Sequence, residues 1–314
     1  METAVKELQK ICDIVGRKEE ITSSLIAARA GKHILLEGAV GVGKTTIALA
    51  VASYVEREFV RIDGDERYTE QKLAGWFDPP LVLSRGYTGE SFIKGPLSTT
   101  MQEGEILLIN ELNRMPEGTQ NVLLTAMDEK TIFIPKFGRV DAKEGFLIIA
   151  TQNPDEYIGT SQLSEALKDR FICIRLSYQS EEEEKEIVRM RSRCNDEDII
   201  DVSVALTRLT RDEPEIRRGS SIRGAIDTAD IFQAAHRAFN DDINSWLRCA
   251  GLAFRTKIEL HDFSEDKFGE LLKKLVSRAL AIHGDKKASV APASNTAKRA
   301  EDTFIKPETD EKKK

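Results

Sequence analysis

A short glycine-rich segment is the part of the chain whose residue types and spacing most directly indicate a chemical role. Residues 38–45, GAVGVGKT, fit the pattern GxxxxGK followed by Ser or Thr, between a predicted strand and a predicted helix. Glycines let the backbone approach phosphate oxygens, and the amides and the helix N-terminus direct positive dipoles at the anion. A lysine here binds the β- and γ-phosphates, and a hydroxyl binds Mg²⁺. The predicted nucleotide-binding residues are Gly38, Ala39, Val40, Gly41, Val42, Gly43, Lys44, Thr45 and Thr46.

A second candidate site lies in ILLINELNR, residues 106–114, where an apolar strand ends in Asn110 and Glu111. A carboxylate at such a strand end can orient and polarise an attacking water, which makes Glu111 the candidate catalytic residue, with helix capping as the alternative. Asn110 stands where nucleotide-hydrolysing proteins normally carry aspartate, and with Thr45 it forms the predicted metal site. Asparagine keeps one carbonyl acceptor but loses the negative charge, so we expect weaker Mg²⁺ binding and slower hydrolysis.

These residues need an α/β fold to position them. Near-continuous apolar runs are typical of strands covered on both faces, and their alternation with helical segments predicts a mostly parallel sheet in three layers. We therefore expect an α/β nucleotide-binding domain over residues 1–178. The five predicted strands are 33–38, 59–63, 105–110, 146–152 and 171–176.

Beyond residue 178 the strand pattern gives way to helical periodicity. Ser180 is a candidate N-cap for a helix whose acidic residues come first and whose basic residues come last. We expect an all-helical domain over 179–284. Residues 285–314 contain few large apolar side chains and cannot bury enough surface to offset their ordering entropy, which predicts a disordered tail.

The composition restricts the classes of partner and compartment. The 314 residues carry a formal net charge of −7, which argues against a dedicated nucleic-acid coat. The sequence has no run of about 18 apolar residues and begins without the apolar core of a signal peptide, so we expect a cytoplasmic protein without a membrane span. The four cysteines and four histidines are scattered, which argues against a zinc site or a disulfide framework.

The ordered motifs resemble those of the MoxR branch of AAA+ ATPases. Besides the phosphate loop, INELNRMPEGTQNVLLTAMDEK resembles the second nucleotide motif and IIATQNP resembles the sensor-1 strand. LSEALKDRF is similar to the arginine-finger segment, and GSSIRGAI is similar to the sensor-2 helix. The chain departs from the family at Asn110, where the family has aspartate, and at Ile222, where it more often has proline.

The resemblance implies roles for three further residues. Asn153 would be the sensor that contacts the γ-phosphate or the attacking water, although asparagine before proline also suits a simple turn. Arg170 would be the arginine finger that acts on a neighbouring subunit's γ-phosphate, with a surface pair to Asp169 as the alternative. Arg223 would contact the nucleotide from its own subunit's lid. The implied catalytic set is Glu111, Asn153, Arg170 and Arg223.

The resemblance also implies an architecture and a function. It implies an AAA+ core and a helical lid in a homo-oligomeric ring, usually a hexamer, which hydrolyses ATP with Mg²⁺ and remodels protein clients. Such proteins often work with a von Willebrand factor A domain partner. It suggests hairpin insertions over 80–93 and 131–146, which face the ring's pore or are ordinary surface hairpins. A nucleic-acid motor of a restriction-type complex and a weakly hydrolysing scaffold stay open, as does the choice between ATP and GTP.

Overall fold

A computed structural model describes residues 1–154, 162–235 and 243–290, with side chains up to residue 285. In chain order the strands are β1 Ile34–Gly38, β2 Phe59–Asp63, β3 Gly75–Phe77, β4 Phe92–Lys94, β5 Ile106–Asn110, β6 Thr131–Ile134, β7 Gly138–Asp141, β8 Leu147–Gln152, β9 Ile172–Leu176, β10 Ile216–Arg218 and β11 Glu259–Leu260. The helices are α1 Glu2–Ile11, α2 Lys18–Arg29, α3 Lys44–Tyr54, α4 Glu70–Ala74, α5 Pro79–Arg85, α6 Pro96–Glu103, α7 Glu117–Asp128, α8 Glu165–Asp169, α9 Glu181–Arg191, α10 Glu197–Asp212, α11 Ile222–Ala235, α12 Ile243–Phe254 and α13 Glu265–Val290.

A five-stranded sheet in the order β2-β5-β8-β1-β9 forms the centre of the α/β part, and its neighbouring strands are parallel. Alternate side chains of each strand enter opposite apolar clusters. Leu36 and Leu108 pack with α1, α2 and α3 on one face, and Leu35 and Leu107 pack with α6 and α7 on the other. The expected three-layer, mostly parallel fold is therefore confirmed.

The carboxyl ends of the parallel strands meet at one edge of this sheet. Asp63 at the end of β2 lies opposite Asn110 at the end of β5, and Glu37 in β1 lies opposite Gln152 in β8. The phosphate loop follows β1 at the same edge. In open parallel sheets this edge is where ligands bind, because the loops that follow the strands converge there.

Helices α9 to α13 form a second apolar core of their own. A capping box begins α9, in which the Ser180 side chain accepts from Glu183 N–H and the Glu183 side chain accepts from Ser180 N–H. The expected helical C-terminal region is thus confirmed, but it is not all helical. Strands β10 and β11 form a short antiparallel ladder. At two or three residues each, they are too short to leave a period-two pattern in the sequence.

The hairpin predicted over 80–93 is wrong in its position. The antiparallel pair is β3 with β4, and α5 occupies much of the segment between them. Asp78 caps this helix by accepting from the Leu81 N–H at 3.1 Å, and Pro79 follows at the first helical position. This Asp-Pro start signal prevails over the β-favouring residues that come next. In the segment 131–146, β6 and β7 do pair antiparallel.

The predicted tail begins too early. Helix α13 continues to Val290, so residues 285–290 are helical, and residues 291–314 lie outside the described part of the chain. Leu275, Val276 and Ala279 are fully buried and fix the helix, and the alanine and lysines that follow are good helix formers. None of the described helices is long and apolar enough to cross a membrane.

Candidate nucleotide-binding site

The phosphate loop connects β1 to α3 in a conformation that depends on glycine. Gly41 and Gly43 have φ angles of +79° and +93°, in the left-handed region that other residues rarely adopt. A Cβ at Gly41 would lie 2.5 Å from the Cβ of Ser221, so the loop packs directly against the segment that precedes α11. Lys44 begins α3, and its Nζ donates to the carbonyls of Gly38 and Ala39 at 2.7 Å each.

Arg17 holds the loop from the other side. This side chain is buried, and its Nη2 donates to the Val42 carbonyl at 2.9 Å and to the Ser177 carbonyl at 2.6 Å. Its Nη1 contacts Glu20 Oε1 at 2.7 Å. The ionic partner and two carbonyl acceptors compensate the buried charge through both terminal nitrogens, so the guanidinium fixes the loop beside the end of β9.

A cavity of about 680 Å³ lies over the loop and has the size of a small-molecule site. Its phosphate end is lined by residues 40–47 together with the ends of β5 and β8. Apolar side chains from other elements also line the cavity, among them Ile14, Val15, Ile187 and Met190, beside the polar Asp13. The cavity thus joins the polar phosphate loop to apolar side chains of other elements.

Asn110 is the centre of a hydrogen-bond network at the phosphate end. Its Oδ1 accepts from Thr45 Oγ1 at 2.8 Å and from Thr151 Oγ1 at 3.0 Å, and its Nδ2 donates to Asp63 Oδ1 at 2.9 Å. Arg61 Nη2 also donates to Asp63 Oδ1, at 3.0 Å. The hydrogen bond from Arg61, and then the one from Asn110, lower the pKa of Asp63 against the opposing effect of burial.

Glu111 is held at the cavity by its backbone and by its side chain. Its φ of +56° is left-handed, its N–H donates to Thr151 Oγ1 at 3.0 Å, and its Oε2 lies 2.8 Å from Arg114 Nε. Gly64 packs against the Glu111 carbonyl with no room for a side chain. The strained φ is sustained by these neighbours. Glu111 precedes a short 3-10 helix, but among the described residues its side chain makes no capping hydrogen bond.

The structure brings two more predicted residues to the same cavity. Asn153 follows β8, is buried, and accepts from Asn113 Nδ2 through its carbonyl at 3.2 Å. Arg223, in the first turn of α11, lines the cavity from the helical region. Arg170 lies elsewhere, just after α8, where its Nε donates to Asp128 Oδ2 at 2.6 Å. Its intramolecular partner is therefore Asp128 and not the neighbouring Asp169.

The donor atoms around Thr45 are compatible with Mg²⁺. The hydroxyl of Thr45, the amide oxygen of Asn110 and the carboxylate of Asp63 are oxygen donors, which hard cations prefer. Over the residues that the structure describes, no group of three or more His, Cys, Asp or Glu side chains could hold a metal ion.

Sequence reasoning did not find Asp63, Arg61 or Thr151. Asp63 ends a predicted strand, and Thr151 lies within another, so both could have been placed at the functional edge of the sheet. The missing information was that β2 neighbours β5. The contact of Arg114 with Glu111 assigns it to the positioning of that carboxylate.

Comparisons with known proteins agree with this geometry. Residues 33–171 match the family described as AAA domain (dynein-related subfamily). The Bacillus subtilis (strain 168) protein YojN is 30% identical over 235 residues, covering 72% of this chain and 76% of YojN. The gas vesicle ATPase GvpN of Haloferax mediterranei is 30% identical over 216 residues, covering 64% of this chain and 62% of GvpN.

A solved structure supports the same fold. A mutant of RuvB from Thermotoga maritima matches with a TM-score of 0.50 and 19% identity, covering 77% of this chain and 72% of that one. At this identity the likeness concerns the fold alone. The sheet, the phosphate loop and the helical region are thus parts of an architecture already seen in solved structures.

Proposed function

This chain belongs to the AAA+ ATPases, in the family described as AAA domain (dynein-related subfamily), and from this premise we propose that it binds and hydrolyses ATP with Mg²⁺. The observation that carries the proposal is the convergence of Lys44, Thr45, Glu111 and Asn153 on one cavity. A fold that only packed these side chains would not need the charged and polar groups to face the same space.

Each residue has a role that follows from its chemistry. Lys44 neutralises the β- and γ-phosphates, and the loop amides bind their oxygens. Glu111, oriented by Arg114, holds the attacking water in line with the γ-phosphate. Asn153 donates to the γ-phosphate or to that water, and Arg223 binds phosphate from the helical lid. Mg²⁺, when bound, supplies positive charge that neutralises the phosphates.

The proposal includes a ring of identical subunits, in which Arg170 completes the site of its neighbour. Arg170 lies outside its own subunit's cavity and is held by Asp128. A guanidinium there can offset transition-state charge only on a nucleotide bound to another subunit. A closed ring with a heterologous interface provides one such contact per site, and we propose a hexamer.

We further propose that the ring remodels a protein, and that a von Willebrand factor A domain protein is one candidate partner. The net charge of −7 disfavours binding to a polyanion. Large apolar side chains are exposed near the two insertions: Leu83 is 90% exposed, Tyr87 60% and Phe133 77%. We propose these exposed side chains as the contacts for a protein partner.

A phosphate-release assay tests the hydrolysis part of the proposal. With ATP and Mg²⁺ the chain should turn over, and Lys44→Ala should lose both binding and turnover. Adding single-stranded DNA, duplex DNA or RNA distinguishes a protein remodeller from a nucleic-acid motor. Stimulation by about tenfold or more, a change of about 1.4 kcal/mol in the activation barrier, would favour the motor. Repeating the assay with GTP determines the nucleotide preference.

A nucleotide-dependent scaffold with weak turnover is the second candidate, because Asn110 contributes no negative charge. The scaffold would bind ATP and assemble, yet release phosphate no faster than Glu111→Gln. Comparing the two chains at saturating ATP, with assembly followed by light scattering, separates the candidates. Asn110→Asp is the accompanying variant: a faster rate in this variant would show that the asparagine limits turnover.

A further inference from the structure

Asp63 and Asn110 form a hydrogen-bonded pair at the carboxyl ends of neighbouring strands. They lie opposite each other in the register of β2 and β5, with Nδ2 of Asn110 at 2.9 Å from Oδ1 of Asp63. The Oδ1 of Asn110 accepts from Thr45 Oγ1 at 2.8 Å. One amide therefore joins Asp63 to the hydroxyl predicted to bind Mg²⁺. We propose that Asp63 supplies the negative charge of the metal site that Asn110 lacks, an inference that rests on the proposed nucleotide site.

The hydrogen-bond pattern fixes which way the Asn110 amide points. An ionised carboxylate can only accept, so the group of Asn110 that faces Asp63 must be the NH₂ donor. The amide oxygen then faces the hydroxyls of Thr45 and Thr151, each of which has one proton to donate. Because the Thr45 proton is directed at Asn110, the lone pairs of that hydroxyl oxygen are left to bind a cation.

Asp63 retains an oxygen for a metal-bound water. Arg61 and Asn110 both donate to Oδ1. Among the described residues Oδ2 makes no hydrogen bond, and the side chain is 63% exposed at the functional edge. A carboxylate in this position accepts a hydrogen bond from a water in the Mg²⁺ shell, which is how Mg²⁺ commonly uses a protein carboxylate. The ion pair of Asp63 with Arg61 is exposed and would by itself contribute little to the stability of the fold.

The pair also accounts for an amide at position 110. An aspartate there would put a second carboxylate about 2.9 Å from Asp63, at a distance where two carboxylates do not both ionise readily. One charge and one neutral bridge satisfy the network. With the charge moved to position 110, the NH₂ of an asparagine at 63 must face the aspartate at 110, and Arg61, which in the natural chain donates to the same Oδ1 as Asn110, must turn to the amide oxygen at 63. An exchanged pair, with asparagine at 63 and aspartate at 110, should therefore bind Mg²⁺ as the natural pair does.

Calorimetric titration of ATP into the chain, in Mg²⁺ and separately in EDTA, measures the metal site apart from activity. The Kd in EDTA divided by the Kd in Mg²⁺ gives the coupling between metal and nucleotide. Asp63→Asn should lower this ratio by about tenfold or more, the size of one charge-assisted hydrogen bond, and leave the Kd in EDTA within about twofold. The double variant Asp63→Asn with Asn110→Asp should recover the ratio to within about threefold of the natural chain.

Asp65→Asn is the matched control, since it removes the same charge two residues away. Asp65 accepts from the Arg67 N–H at 2.8 Å and has no contact with Asn110, so its variant should keep the ratio of the natural chain. Thermal unfolding of each variant verifies that it is folded.

The outcomes separate this inference from the function beneath it. If Asp63→Asn keeps the natural ratio, or if the exchanged pair fails to recover it, the inference is overturned while the nucleotide site stands. If Lys44→Ala binds ATP as tightly as the natural chain, the nucleotide site itself is refuted. A loss at Asp63 and a recovery in the exchanged pair together support the assignment.

Discussion

The position of Glu111 can be tested through Gly64 without changing any charged group. The N–H of Gly64 donates to the Asn110 carbonyl at 2.6 Å. A Cβ on Gly64 would lie 2.1 Å from the Glu111 carbonyl oxygen and 2.9 Å from its carbonyl carbon. Both are backbone atoms, so they cannot rotate away as a side chain would. In Gly64→Ala the end of β5 must therefore move by about 1 Å to restore an ordinary contact distance.

We expect Gly64→Ala to lower kcat by about a hundredfold, or about 2.7 kcal/mol in activation free energy, because a misplacement of about 1 Å has a cost of that order. The Kd for ATP measured in EDTA should change little, because the phosphate loop and Lys44 lie outside β5. The Kd in Mg²⁺ should weaken, because Asn110 moves with the end of β5 and hydrogen-bonds Thr45. Steady-state phosphate release measures kcat, and calorimetric titration of ATP measures Kd.

Gly89→Ala is the control for this experiment. A Cβ on Gly89 would meet nothing within 4 Å. Neither Gly64 nor Gly89 has a positive φ, so alanine causes no backbone strain at either position, and the two variants differ in the clash alone. Gly89→Ala should keep the kcat and the Kd for ATP of the natural chain. A kcat for Gly64→Ala within about threefold of the natural chain would refute the view that the Glu111 backbone is fixed by this contact.

Three further predictions concern assembly, positioning and pH. Glu111→Gln and Arg170→Ala should each be nearly inactive, yet an equal mixture of the two should regain phosphate release. About a quarter of the sites in the mixture pair an intact Glu111 with a neighbour's intact Arg170. No gain on mixing would contradict the action of Arg170 between subunits. Arg114→Leu should lower kcat by about tenfold with an unchanged Kd for ATP, because the ion pair that orients Glu111 is lost. Burial first, and then nearby lysines, lower the pKa of His33 to about 4, and its Nδ1 accepts from the Ile148 N–H at 2.9 Å. The unfolded chain binds this proton near pH 6.5 and the folded chain only near pH 4, so unfolding free energy should fall by about 3 kcal/mol between pH 7 and pH 4. Urea unfolding should show a smaller fall in His33→Asn, whose amide oxygen can replace the acceptor.

The positions of the central strands were predictable because both faces of the sheet are covered. Each strand must then be apolar along its whole length, as in 106–109, and such a run is visible without any knowledge of neighbours. The helix α5 was not predicted, because an apolar run as short as residues 81–83 suits a strand or a helix, and only the Asp-Pro start signal favours the helix. The ladder of β10 and β11 involves too few residues to produce a pattern.

The site was predictable where it is local in sequence and not where it depends on strand order. The phosphate loop is a contiguous segment, so its residues could be named together. Asp63 and Asn110 are 47 residues apart, and their contact exists because β2 lies beside β5, which the sequence does not state. The pairing of Arg170 with Asp128, 42 residues away, has the same origin.

The buried guanidinium of Arg17 connects the phosphate loop directly to the segment that leads to the helical region. One nitrogen of this side chain is bonded both to Val42 of the phosphate loop and to Ser177, where the chain leaves the sheet for the helical region. The phosphate loop and this exit are therefore held together by a single planar, rigid group. The width of the guanidinium sets the spacing of these two segments, so they are joined directly and not only through the packed core.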